Sequence, residues 1–170
     1  MSLVVCIGNE LVADDAVGFE VHARLAELLP TDVRLEYCSV GGICLLDLLD
    51  GTDETMVIVD AMCLGAPVGT VHCMVVDDIP LSGASAISAH GIGLQDTMAI
   101  GMALYPERMP KQLTLVGVEG RCFDLPREYM TQEVAEALER AVRQVLLVLN
   151  IPFNEDRGNV LYEIKTNNRL

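Results

Sequence analysis

Apolar residues along this chain change their spacing in a regular order. Leu3 to Ile7 is an unbroken apolar run with β-branched members, stopped by Gly8-Asn9, which is the pattern of a buried strand. From Asp15 the period becomes helical, with Val17, Val21, Leu25 and Leu28 on one face and Pro30 closing the segment. Val33 to Cys38 predicts a second strand, Gly41-Gly42 a break, and Leu45 to Asp50 a short helical stretch ending at Gly51. Thr55 to Asp60 is the plainest buried strand of all. After the turn residues Ala66-Pro67-Val68-Gly69, Thr70 to Val76 returns as a strand, read as the hairpin partner of the one before it. Gly91 to Leu104 is helical in period despite Gly91, Gly93 and Gly101. Each interior Gly costs about 1 kcal/mol against Ala, which points to close backbone packing at those positions. Leu113 to Val118 is one more buried strand. Thr131, followed by Gln132 and Glu133, reads as the N-cap of a last helix reaching Leu149, whose Val134, Leu138, Ala141, Val142, Val145 and Leu149 recur at three and four.

Strands alternating with helices predict an α/β three-layer sandwich, a mostly parallel twisted sheet of about five strands with helices on both faces. The domain is expected over residues 1–150. Residues 151–170 form a more polar extension, in which Val160-Leu161-Tyr162-Glu163-Ile164 is either an edge strand or part of a mobile tail.

Composition narrows the function classes. A chain of 170 residues suits one domain, and 51% apolar with 21% charged residues excludes a disordered scaffold. Lys+Arg is 11 against Asp+Glu at 25, a net charge of -14 that repels phosphate backbones. Nucleic acid and anionic membrane surfaces are therefore excluded as partners, whereas a basic peptide or a metal cation fits. The apolar start has no basic region before it and breaks at Gly8-Asn9-Glu10, too soon for a signal peptide or a spanning helix. Six cysteines include no C-x-x-C pair, which argues against structural zinc. Cys6, Cys38, Cys63 and Cys73 lie in or at the ends of apolar stretches, where a reduced thiol packs as a small hydrophobe. A reducing cytoplasm is the expected compartment.

In open α/β sheets ligands gather beyond the carboxyl ends of the strands. Asp14-Asp15 follows the first strand, Asp60 ends the third, and His90 opens the helix after the fourth. Two carboxylates and an imidazole can coordinate a divalent transition metal and leave positions open. A helix N-terminus disfavours positive charge and so keeps His90 neutral and available as a ligand. His22 and His72 are read as structural or surface residues. Plainer roles compete: Asp14 or Asp15 as the cap of the helix that follows, Asp60 as acceptor for a loop amide, His90 as a turn residue. Gly8-Asn9 is also a possible phosphate-binding turn, although the full G-x-G-x-x-G pattern is missing.

The run Cys6-Ile7-Gly8-Asn9-Glu10-Leu11-Val12-Ala13-Asp14-Asp15-Ala16-Val17-Gly18 resembles the opening signature of the hydrogenase maturation endopeptidases. The likeness continues through Gly41-Gly42 with Leu46-Asp47-Leu48-Leu49, then Val57-Ile58-Val59-Asp60-Ala61, Ser88-Ala89-His90-Gly91-Ile92-Gly93-Leu94 and Leu113-Thr114-Leu115-Val116-Gly117-Val118-Glu119. It covers roughly residues 1–150 in order. The resemblance implies cleavage of one peptide bond near the C-terminus of a nickel-iron hydrogenase large-subunit precursor already loaded with nickel. It implies metal recognition by Asp15, Asp60 and His90, with Gly8, Asn9, Gly41 and Gly42 in supporting loops. The nickel is carried by the substrate, and no tightly bound cofactor of the protease's own is expected. Two departures stand out: Val40 where the family often has Asp, and Ile43 where it has Thr or Ser. Two other classes remain: a non-proteolytic nickel-binding maturation or docking protein of the same fold, and a phosphate-binding α/β domain using Gly8-Asn9.

Overall fold

The computed structural model describes residues 1–39, 41–75 and 94–153. Five strands, β1 (Ser2–Ile7), β2 (Val33–Cys38), β3 (Thr55–Met62), β4 (Val71–Val75) and β5 (Gln112–Glu119), form one sheet in the order β2-β1-β3-β5-β4. The first four in that order are parallel, and β4 runs antiparallel along β5. The sheet is the expected mostly parallel one. The pairing of β4 corrects the hairpin expectation. Both hydrogen-bonding edges of β3 are occupied by β1 and β5, so the returning strand crosses to the free edge of β5, with Val71 opposite Val118 and Val75 opposite Thr114. Its half-exposed residues suit that edge position.

Side-chain alternation divides the core into two layers. Val4, Cys6, Val57, Val59, Ala61, Val116 and Val118 face α1 (Val17–Leu25) and α3 (Gln132–Val148). Leu3, Val5, Ile7, Met56, Ile58, Met62 and Leu115 face α2 (Leu94–Leu104) and the segment around Leu45, Leu46 and Leu49. Helices therefore cover both faces. Among the described residues no helix is long and apolar enough to cross a membrane.

Three local expectations shift. The first helix is preceded by a separate 3₁₀ turn over Asp14–Ala16 and ends at Leu25, with Leu28 and Leu29 packed on the core from the turns that follow. The second helical stretch is a 3₁₀ segment, Gly42–Leu48, entered at a glycine with φ +75°. At Gly101 the close neighbours are side chains rather than backbone: a Cβ there would meet Met109 Sδ at 2.6 Å and Leu46 Cδ2 at 2.8 Å. Gly91, Gly93 and residues 160–164 lie outside the described residues. All six cysteines are free thiols. Only Cys6 is fully buried, which pushes its thiol pKa up, whereas Cys63 and Cys73 are exposed and do not pack as hydrophobes.

α3 ends in a Schellman turn. Asn150 takes φ +55°, its N–H donates to Leu147 O at 3.0 Å, and the Ile151 N–H donates to Leu146 O at 2.9 Å. The turn delivers Ile151 and Phe153, both beyond position 150, onto the α1–α3 layer. Truncation after Asn150 is accordingly expected to cost about 2 kcal/mol, the transfer value of two partly buried side chains. Urea unfolding of the shortened chain checks this; an unchanged midpoint would contradict it.

Candidate functional site

The loops that follow β1 and β5 are joined to each other. Ala13 N–H donates to Leu125 O at 3.0 Å, Asp14 N–H to Cys122 O at 2.9 Å, and Arg127 N–H to Leu11 O at 3.0 Å. Since β3 lies between β1 and β5, these bonds span the carboxyl end of β3, where Asp60 is carried. Arg127 fastens the arrangement to α1 by an ion pair with Glu20 and by lying over the Phe19 ring, 4.8 Å from its centroid.

Gly8 and Gly18 explain how β1 turns into α1. Gly8 has φ +145°, and a Cβ on it would overlap the Asp15 carbonyl oxygen. A Cβ on Gly18 would overlap the Ile7 carbonyl. Only glycine permits this approach, which carries Asp15 back over the strand end. The amides that a phosphate would need are already committed: Gly8 N–H donates to Cys38 O at 3.1 Å and Asn9 N–H to Asp15 Oδ2 at 2.9 Å. Gly8-Asn9 is thus a shaped turn rather than an anion cradle. Tyr37 completes it, donating its hydroxyl to Gly8 O at 2.7 Å.

The two adjacent aspartates do different things. Asp14 is fully buried and its carboxylate is satisfied by two separate segments, Arg121-Cys122 and Thr131. Its Oδ2 accepts the Arg121 and Cys122 N–H groups, both at 2.9 Å, and the Thr131 hydroxyl at 3.2 Å, while Oδ1 accepts the Thr131 N–H at 2.7 Å. Neither aspartate caps α1, which has no side-chain cap. Asp14 instead places its charge at the start of α3, and Thr131, the expected N-cap, spends its hydroxyl on Asp14 rather than on its own helix.

Asp15 is 5% exposed, and the turn that carries it packs against β3. Asp60 is 6% exposed and lies within β3, which continues to Met62; the expectation that it ends the strand is corrected. The fold therefore brings Asp15 and Asp60 to the same end of neighbouring parallel strands. His90 and Val40 lie outside the described residues. Among the described residues no group of three His, Cys, Asp or Glu side chains could hold a metal ion. Gly41 and Gly42 are buried at the entrance to the 3₁₀ segment, with Ile43 and Cys44 exposed beside them.

The other two histidines are in structural contacts, as expected. His22 is half-buried beside the Tyr37 ring, and that burial holds its pKa below the usual value, with Glu36 pulling weakly the other way. His72 Nε2 meets Glu119 Oε2 at 3.2 Å. Glu119 is a buried carboxylate at the carboxyl end of β5 that the sequence reading left without a role. Its signal was available: it is an acid closing an apolar strand.

Comparison with known proteins converges on one group. The family model described as hydrogenase maturation protease matches residues 40–148. The hydrogenase expression/formation protein HupD of Rhodobacter capsulatus is 36% identical over 120 residues, 69% of this chain and 56% of that protein, so the match spans little more than half of that relative. The hydrogenase 2 maturation protease of Escherichia coli K12 is 31% identical over 151 residues, covering 86% of this chain and 89% of the other. The structure of the hydrogenase maturating endopeptidase HybD from E. coli superposes with a TM-score of 0.73 at 30% identity, covering 88% of this chain and 91% of that one.

Proposed function

This chain belongs to the hydrogenase maturation protease family, and on that premise we propose that it is the endopeptidase that removes the C-terminal extension of a nickel-iron hydrogenase large-subunit precursor. In this reading it acts in the cytoplasm, after nickel insertion, and recognises the bound nickel through Asp15, Asp60 and His90. The nickel is substrate, not a resident cofactor. The observation that supports this best is the convergence of two nearly buried carboxylates, Asp15 and Asp60, at one strand-end mouth of a chain with net charge -14. Such a mouth favours a cation arriving with its partner and disfavours phosphate. Oxygen and nitrogen ligands complete the shell of a metal held elsewhere by thiolates without extracting it. Docking through the metal turns a bimolecular encounter into a positioned one, an effect worth several kcal/mol of barrier. A carboxylate acting as general base on water, or the metal polarising the carbonyl, then completes hydrolysis.

The test is a cleavage assay on the precursor with and without nickel, read by mass spectrometry of the released peptide. Cleavage of the loaded form alone is expected. Equal cleavage of both would remove nickel recognition and leave the protease. Binding of the loaded precursor without cleavage would favour the non-proteolytic docking protein.

A further inference from the structure

The connection from β3 to β4 is organised around one side chain. Glu119, 2% exposed, directs Oε1 at three successive backbone N–H groups, those of Leu64 at 2.8 Å, Gly65 at 2.7 Å and Ala66 at 3.2 Å. Its Oε2 meets His72 Nε2 on β4. Its own backbone closes the same loop: the Gly69 N–H donates to Glu119 O at 2.8 Å, and the Glu119 N–H to Thr70 O at 2.9 Å. In the β3–β5 ladder Glu119 lies opposite Met62, two residues beyond Asp60, and the following Gly120 N–H donates to Met62 O at 2.9 Å. A carboxylate receiving several amide donors is a strong, geometrically exacting anchor.

We propose that Glu119 is a positioning residue for cleavage: it holds the Leu64–Ala66 backbone against β5 and thereby fixes the end of β3 that carries Asp60. This rests on the reading of Asp60 as a recognition residue. Displacing such a group by about 1 Å costs on the order of 100-fold in rate, and partners that orient functional ligands typically contribute 10- to 100-fold. The imidazole is the lesser arm, because the three amides stay anchored without it.

The experiment compares Glu119→Ala, Glu119→Gln and His72→Ala in steady-state cleavage of nickel-loaded precursor, alongside amide hydrogen exchange of the full chain. Glu119→Ala is expected to lower kcat about 10- to 100-fold with KM nearly unchanged, and to deprotect Leu64–Ala66 while β1 stays protected. Glu119→Gln keeps an Oε1 acceptor and should restore both kcat and protection to within about threefold; His72→Ala should also stay within that range. Wild-type kcat in Glu119→Ala, no rescue by Gln, or an equal loss in His72→Ala would each overturn the proposal. If Glu119→Ala does not fold, the Gln variant decides: retained kcat and protection support the anchor, and a tenfold fall in kcat refutes it. A wild-type protein that cleaves no precursor would remove the proposed function, while exchange at Leu64–Ala66 would still report whether Glu119 anchors the loop.

Discussion

Asp60→Asn is expected to lower cleavage of nickel-loaded precursor by at least about 1000-fold, equivalent to about 4 kcal/mol of transition-state stabilisation, without loss of stability. The amide matches the carboxylate in shape, so no cavity opens at a residue that is 6% exposed. It removes a charge whose burial is itself costly, and the unfolding midpoint should therefore hold or rise. His90→Ala should lose activity to the same degree, since on the proposed reading it removes the nitrogen ligand. His22→Ala should keep activity, because that ring packs beside Tyr37 rather than at the mouth. The readouts are initial cleavage rate and thermal midpoint on the same preparations. Activity within tenfold of wild type in Asp60→Asn would contradict a recognition role for that carboxylate.

Asp14→Ala should do the reverse. It takes away the acceptor for the Arg121, Cys122 and Thr131 N–H groups at once. Leaving buried donors unpaired costs about 1–3 kcal/mol each, so a total loss of about 3–5 kcal/mol is expected after partial rehydration. That is a large share of the 5–15 kcal/mol that typically holds a domain together. Urea unfolding should show the loss directly, and low temperature or a stabilising osmolyte should return cleavage once the fold is restored. A variant as stable as wild type would show that Arg121-Cys122 and Thr131 hold without their shared acceptor.

These two outcomes separate what the sequence made legible from what it did not. Buried strands announced themselves because a strand covered on both faces must be apolar throughout, and Leu3 to Ile7 and Thr55 to Asp60 could be little else. The partner of β4 was not legible: its local turn chemistry is that of a hairpin, and only the competition of β1 and β5 for the edges of β3 decides against it. The same holds for the acids. Asp15 and Asp60 could be placed from strand ends and a family likeness. Asp14 looked interchangeable with Asp15, since what distinguishes them is a hydrogen-bond partner 117 positions away. Glu119 likewise acquires its role from loop amides more than 50 residues upstream.

The reach of Asp14 also sets a schedule. Its turn is synthesised more than 100 residues ahead of the amides that satisfy it, which belong to residues 121–131. Closing a loop of that length carries an entropy cost before any contact offsets it, and such distant pairings slow folding. A nascent chain that has exposed β1, α1 and β3 therefore still holds an unsatisfied carboxylate beside Asp15. The turn settles only when the segment leading into the last helix arrives. On the proposed reading, competence to cleave a precursor thus waits on residues made more than 100 positions after the turn itself.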